Sequence, residues 1–235
     1  MTEDPQAPPV FDDAFRTQLE TLFVWRRDVR HFQTDSVAPD LIEGLISQAC
    51  LSPSVGNSQP WRFVLVEDAA RRRAIRDNFM QANEAALGDY EGERAAVYAK
   101  LKLSGLDDAP VHLAVFADKE TERGHGLGRQ TMPEVLEYSA VAAVNTLWLA
   151  ARAAGVGVGW VSIIDPDAVC ATLETPEVWR LIAYLCIGYP AAAHRDPELL
   201  AVPWASEGFS IPPLSRRFQI RCRSSPSARR LDRSW

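Results

Sequence analysis

One segment limits this chain more than any other. From Pro133 to Ala154 the sequence reads PEVLEYSAVAAVNTLWLAARAA. Val135, Leu136, Tyr138, Val141, Val144, Leu147, Trp148 and Leu149 fall on all sides of a 3.6-residue helix rather than along one stripe. A helix apolar all round is expected to be buried all round. A chain of 235 residues has a limited interior, so burial on every side calls for a partner subunit as well as the chain's own core. Gly155 ends the helix.

Around it the chain alternates irregularly between helices and strands. Residues 12–24 read as helical, and Pro39 opens a second helix with Leu41, Ile42, Leu45, Ile46 and Ala49 on one face. SPSVGNSQP (52–60) is a loop by its Ser, Gly, Asn and Pro content, and WRFVLVE (61–67) a strand. Residues 68–103, rich in Ala, Arg, Glu and Lys, read as helices broken near Gly88 and Gly92. VHLAVFA (111–117), GVGWVSI (157–163) and LIAYLCIGYP (181–190) supply three more strands, and a Gly-rich loop (123–128) follows the first of them. Without regular βαβ alternation, α+β is expected rather than a doubly wound fold. GVGVGW follows a helix instead of a strand and lacks the dinucleotide-binding spacing, and there is no P-loop.

Charge and cysteine content narrow the setting. The net charge of −6 gives no reason to expect nucleic acid. Residues 216–235 hold seven arginines and one aspartate, a net of +6, which leaves −12 for the rest. A short basic tail on an acidic body reads as a disordered end rather than a nucleic-acid arm. No run approaches the length of a membrane span, and the acidic, Pro-rich start is unlike a signal peptide. Cys50, Cys170, Cys186 and Cys222 show no short-range pairing, and the first three sit in apolar contexts, as reduced core thiols of a cytoplasmic protein would. His31, His112, His125 and His194 are too scattered for a zinc signature, so no metal site is expected.

Three stretches could carry chemistry. WRRDVRHF (25–32) places Arg26, Arg27 and Arg30 within five residues. That density suits a phosphate, or else a solvated, salt-bridged helix end; Asp28 and Val29 lie inside it, and a carboxylate there opposes an anion. PSVGNSQPW (53–61) crowds Ser54, Asn57, Ser58 and Gln59 together, which fits either a turn into the next strand or a reader of a planar heterocycle's polar edge. In GVGWVSI, Gly157 and Gly159 let a backbone or a flat ligand approach closely, and Ser162 stands near the strand's end.

Together, RRDVR (26–30), PSVGNSQPW (53–61) and GVGWVSI (157–163) resemble the nitroreductase-like flavoproteins, over about residues 20–199, and the GYP at 188–190 is similar to that family's closing strand. The resemblance implies an α+β nitroreductase-like fold, a central mixed sheet flanked by helices, and a homodimer with flavin sites at the interface. It implies an N-terminal extension (1–19), a lid at about 80–105 and a divergent basic tail (200–235). It implies that Arg26, Arg27, Asp28, Val29, Arg30, Ser54, Asn57, Gln59, Gly159 and Ser162 contact flavin mononucleotide (FMN). Ordinary members carry a small polar residue where Asp28 stands. The three strings are most similar to a branch in which reduced FMN is the substrate and molecular oxygen the co-substrate, giving 5,6-dimethylbenzimidazole and erythrose 4-phosphate. There Asp28 and Ser162 are expected to be catalytic, and NAD(P)H acts only through a separate flavin reductase that supplies the reduced flavin. The alternatives are an NAD(P)H-dependent flavin or nitro reductase that recycles FMN, and a flavin carrier without chemistry.

Overall fold

The computed structural model describes residues 8–99 and 105–198. The tail from 200 with Cys222, residues 100–104 of the expected lid, and the first seven residues lie outside them.

Among the described residues six α-helices and four strands follow one another as α1 (Asp13–Trp25), α2 (Pro39–Ala49), β1 (Trp61–Leu65), α3 (Ala69–Gly88), α4 (Gly92–Tyr98), β2 (Val111–Asp118), α5 (Val135–Ala153), β3 (Gly157–Val161), α6 (Pro166–Leu173) and β4 (Trp179–Gly188). Side-chain caps start several helices. The carboxylates of Asp12, Asp68 and Asp165 accept the N–H groups of Phe15, Arg71 and Asp167 that a first turn leaves open. Pro39 and Pro166 occupy first-turn positions where no N–H is missed. Helix α6 is absent from the sequence reading, although Asp165-Pro166 carried its start signal. The boundary expected at residue 20 falls inside α1.

The sheet runs β1-β2-β4-β3, and every pairing of named strands is antiparallel. Among the described residues the parallel component of the expected mixed sheet is a single bridge, Asp28 to Val158. Strand alternation divides the interior in two. Leu113, Val115 and Ala117 of β2, with Leu185 and Ile187 of β4, face a core completed by Ile42, Leu45 and Ala49 of α2 and Ala140, Val144 and Leu147 of α5. Ala114, Phe116, Tyr184 and Cys186 face the opposite core, with Ile75 and Phe79 of α3 and Val169 and Leu173 of α6. Full burial of a side chain such as Leu147 contributes about 1.5–3 kcal/mol.

Helix α5 is covered by its own chain on some sides only. It is not buried all round within the chain: Tyr138 is 58% and Val141 40% exposed, and Asn145 continues their stripe. Its other sides are buried against the sheet and α2. The cysteines depart from the expected core positions chiefly at Cys50. Cys186 is buried in the core, Cys170 is intermediate and Cys50 is exposed, all three as free thiols.

Candidate active site

Segment 28–33 crosses the end of the sheet and is stitched to it by backbone. Val29 N–H donates to Val158 O at 3.0 Å, Gln33 N–H to Tyr189 O at 2.8 Å, and Ala191 N–H to His31 O at 2.9 Å. The glycines of β3 make this possible. A Cβ on Gly159 would stand 2.1 Å from Val29 O, and one on Gly157 2.8 Å from Val29 Cγ2. The close approach at these glycines is made by the chain itself, by the Val29 backbone at Gly159 and the Val29 side chain at Gly157. Phe32 anchors the far end: its ring is buried, and Cβ atoms on Gly105 and Gly188 would collide with it at 2.2 and 3.1 Å.

Asp28 sits where this segment meets β3. Its Oδ1 accepts the Trp160 N–H at 2.9 Å, and its Oδ2 accepts Arg30 Nε at 2.8 Å. One carboxylate thus ties the segment to the strand and orients an arginine. An ionised carboxylate has about four acceptor positions, and these two bonds occupy two of them among the described residues. Ser162 lies two residues beyond Trp160, about 7 Å further along an extended strand, and is exposed.

The three arginines have three different surroundings. The Arg26 guanidinium lies 4.9 Å above the Trp148 ring, a cation–π arrangement. Arg27 donates from Nε to Arg195 O at 2.7 Å and from Nη1 to Arg26 O at 2.6 Å. Its pKa is lowered by burial and then by Arg26, with Asp196 opposing. Arg30 pairs with Asp28. Arg27 and Arg30 line a cavity of about 260 Å³ whose walls include Trp25, Trp148, Arg152 and the 190–194 turn.

Loop 53–61 is a separate construction at the other end of α5. Gly56 (φ 55°), Asn57 (53°) and Gln59 (44°) all adopt left-handed backbone. The Ser54 Oγ accepts the Gln59 N–H at 3.0 Å and closes the loop. Val55 N–H donates to Ser139 Oγ at 3.2 Å, and Ser52 Oγ donates to Thr146 Oγ1 at 2.6 Å. Ser58 is buried, and its Oγ has no hydrogen-bond partner among the described residues. Gln59 and Asn57 line a second cavity with Arg123 and His125. Trp148 Nε1 donates to Arg27 O at 3.2 Å, so the arginine segment meets α5 nine residues after Ser139 marks the loop, a rise of about 13–14 Å. The open stripe of Tyr138 and Val141 lies beside the loop's end.

Some contributors escaped the sequence reading. Ser139 and Thr146 were visible as polar positions seven residues apart in an apolar helix, one face of two turns. Arg123 carried no signal of its own, and the Trp160 N–H is a backbone group that no side-chain pattern reports.

A three-layer α+β fold with a cationic segment tied to a glycine strand, and a polar loop braced by a long helix, defines a class. Residues 23–189 match the nitroreductase family, and the chain belongs to it. A protein of Rhodospirillum rubrum named 5,6-dimethylbenzimidazole synthase is 54% identical over 198 residues, covering 84% of this chain and 94% of that one. A protein of Rhodobacter capsulatus with the same name is 44% identical over 194 residues, covering 83% and 94%. Among solved structures, oxidised iodotyrosine deiodinase bound to FMN and 3-iodo-L-tyrosine shares the fold, with a TM-score of 0.65 and 24% identity over 84% of this chain and 98% of that one.

Proposed function

We propose that this chain fragments reduced FMN with molecular oxygen into 5,6-dimethylbenzimidazole and erythrose 4-phosphate, for the lower ligand of cobalamin. The observation that carries the reading is the 54% identity, across 94% of its length, to a relative named for that product.

The residues fit FMN as substrate. Arg27 and Arg30 line a cavity with aromatic walls, and with Arg26 they suit the phosphate end. Asn57 and Gln59 suit the polar edge of the ring, with Ser54 holding their loop closed. Val29 lines the cavity and rests directly on Gly159 behind it. Reduced FMN supplies the electrons and the carbon skeleton for the reaction with oxygen. Asp28 holds or moves a proton beside the arginine segment, and the Ser162 hydroxyl donates to the substrate from the end of β3. The segment at 80–105 covers the substrate. Its described part is braced by Tyr98 Oη donating to Asn83 Oδ1 at 2.8 Å and by the Tyr90–Tyr98 stack.

The two clusters occupy separate cavities, and the apolar side chains near the ring-reading loop are open, Leu127 at 70% as well as Tyr138 and Val141. A homodimer with flavin sites at the interface would cover them. Val141→Glu should break the pair; an unchanged dimer mass by light scattering would exclude this face. A separate NAD(P)H-dependent reductase supplies the reduced flavin, and the free thiols fit the cytoplasm.

The test is anaerobic loading with reduced FMN, then air, with products separated by mass. 5,6-Dimethylbenzimidazole and erythrose 4-phosphate are expected, with reduced riboflavin a poorer substrate. Full recovery of intact FMN would overturn the reading in favour of a reductase that recycles it.

A further inference from the structure

The Gly-rich segment 123–128 has no part in the function above, yet it packs along the loop that carries Asn57 and Gln59. It turns through left-handed backbone at Gly124 (φ 76°), His125 (49°), Gly126 (75°) and Gly128 (80°). A Cβ on Gly124 would stand 2.6 Å from Gly56 O, and one on Gly128 2.7 Å from Val55 Cγ2. The two loops therefore touch through backbone, and Thr121 Oγ1 donates to Ser58 O at 3.3 Å beside the contact.

This packing brings Arg123 over Gln59. Arg123 Nη1 donates to Gln59 Oε1 at 2.6 Å, and Gln59 Nε2 donates to Asn57 Oδ1 at 3.2 Å. A side-chain amide has nearly the same shape either way round, but a guanidinium has donors and no acceptor. Arg123 thus admits one orientation of Gln59, with the oxygen towards the arginine. The Gln59 NH2 in turn admits one orientation of Asn57, whose own NH2 is turned away from Gln59. One cation sets two amides in series.

We propose that Arg123 is a positioning residue for flavin recognition. It holds Gln59 and Asn57 so that the loop offers N–H donors to the carbonyl acceptors on the pyrimidine edge of the isoalloxazine. The proposal rests on the flavin reading above and adds to it a residue outside the three matched segments. Its chemical consequence is selection for a ligand edge rich in acceptors.

Titration with oxidised FMN, followed by visible absorbance, tests it in wild type, Arg123→Leu, Arg123→Lys, Gln59→Leu and the Arg123→Leu/Gln59→Leu pair. Arg123→Leu should weaken FMN about tenfold, the scale of one charge-assisted hydrogen bond, and shift the bound flavin's absorption bands. Lysine should restore most of the affinity. The double variant should bind no more weakly than the weaker single one, because Arg123 acts through Gln59. Unchanged affinity in Arg123→Leu, or two losses that multiply, would overturn the proposal. The side-chain amide proton signals of Gln59 and Asn57 in ligand-free protein read the same device without flavin, and Arg123→Leu should displace both. Signals that ignore Arg123 overturn the relay whatever FMN does. Signals that respond, in a wild-type protein with no affinity for FMN, sink the flavin reading alone.

Discussion

Segment 26–32 and loop 53–61 are both short polar stretches beside α5, and they are held in opposite ways. The arginine segment is bound to the sheet: backbone bonds to Val158 and Tyr189, a carboxylate on Trp160 N–H, and Phe32 in a nest of glycines. The loop is bound to another loop and to one helix face, and three of its own residues take left-handed backbone. The first region is rigid because the sheet has no freedom to yield. The second depends on a few half-buried side-chain bonds and on turns of its own backbone, each bond worth about 1 kcal/mol.

That contrast can be broken most directly at Gly159. A methyl group there meets Val29 O at 2.1 Å, a backbone atom fixed by its neighbours. Gly159→Ala should cost about 3 kcal/mol or more and lower the melting temperature by about 6–12 °C. Gly44→Ala is the control: its Cβ would meet nothing within 4 Å, and it lies in helix α2, so it should stabilise by about 0.5–1 kcal/mol. Equal melting temperatures for the two variants would mean that the segment yields.

Acid should separate the regions next. His112 is buried beneath the core that holds Phe32, with its Nδ1 3.0 Å from Tyr184 Oη. Burial, and then the Arg72 guanidinium, hold its pKa down at about 4, against the weaker opposing pull of the Ala109 carbonyl, Asp107 and the Leu106 carbonyl. Burial also raises Tyr184 and pushes the Cys186 thiol up to about 12, so neither titrates in this range. The folded value of His112 lies below the unfolded one near 6.5. Between them the unfolded chain binds the extra proton, so stability present above pH 6.5 is lost as pH falls towards 4, by about 3 kcal/mol. His112→Gln should flatten that part of the stability curve, measured by denaturant titration at each pH. Identical slopes would remove His112 from the account. Hydrogen exchange at acid pH should reach segment 28–32 before loop 54–59.

Gly124→Ala carries the smallest expected effect and strikes the other region. Its φ of 76° and the 2.6 Å approach to Gly56 O cost about 1–2 kcal/mol. FMN affinity should fall with it while the arginine segment keeps its exchange protection. Simultaneous loss of both would show one coupled unit instead of two.

Apart from α6, the helices and strands were legible because their signals are local. Pro39, the run around Leu113 and Val115, and the breaks at Gly88 and Gly92 each fix structure within a few residues. The site was legible as three strings but not as an arrangement. Gly159 read equally well as room for a ligand or for backbone, since both need the same missing side chain. Ser54 read as a ligand donor, and its acceptor role within the loop depends on the left-handed turn at Asn57 and Gln59. The full apolarity of α5 predicted burial on every side by the core and a partner together, and the chain's own interior covers part of the helix. Asp28 raised a question that its neighbours in sequence could not answer, because its partners include a strand N–H more than a hundred residues away.

Asp28 is where both accounts of the arginine segment meet, as a tie to β3 and as a group that handles a proton. Asp28→Asn retains an oxygen for the Trp160 N–H and removes the titratable carboxylate. Wild type and variant would be loaded anaerobically with reduced FMN and exposed to air, with bound flavin and products measured by mass. The expected result is similar FMN affinity, continued oxygen consumption, and 5,6-dimethylbenzimidazole reduced by about a hundredfold or more, with oxidised FMN recovered intact. Undiminished 5,6-dimethylbenzimidazole would contradict a catalytic Asp28, and loss of FMN binding would reduce the residue to its structural tie.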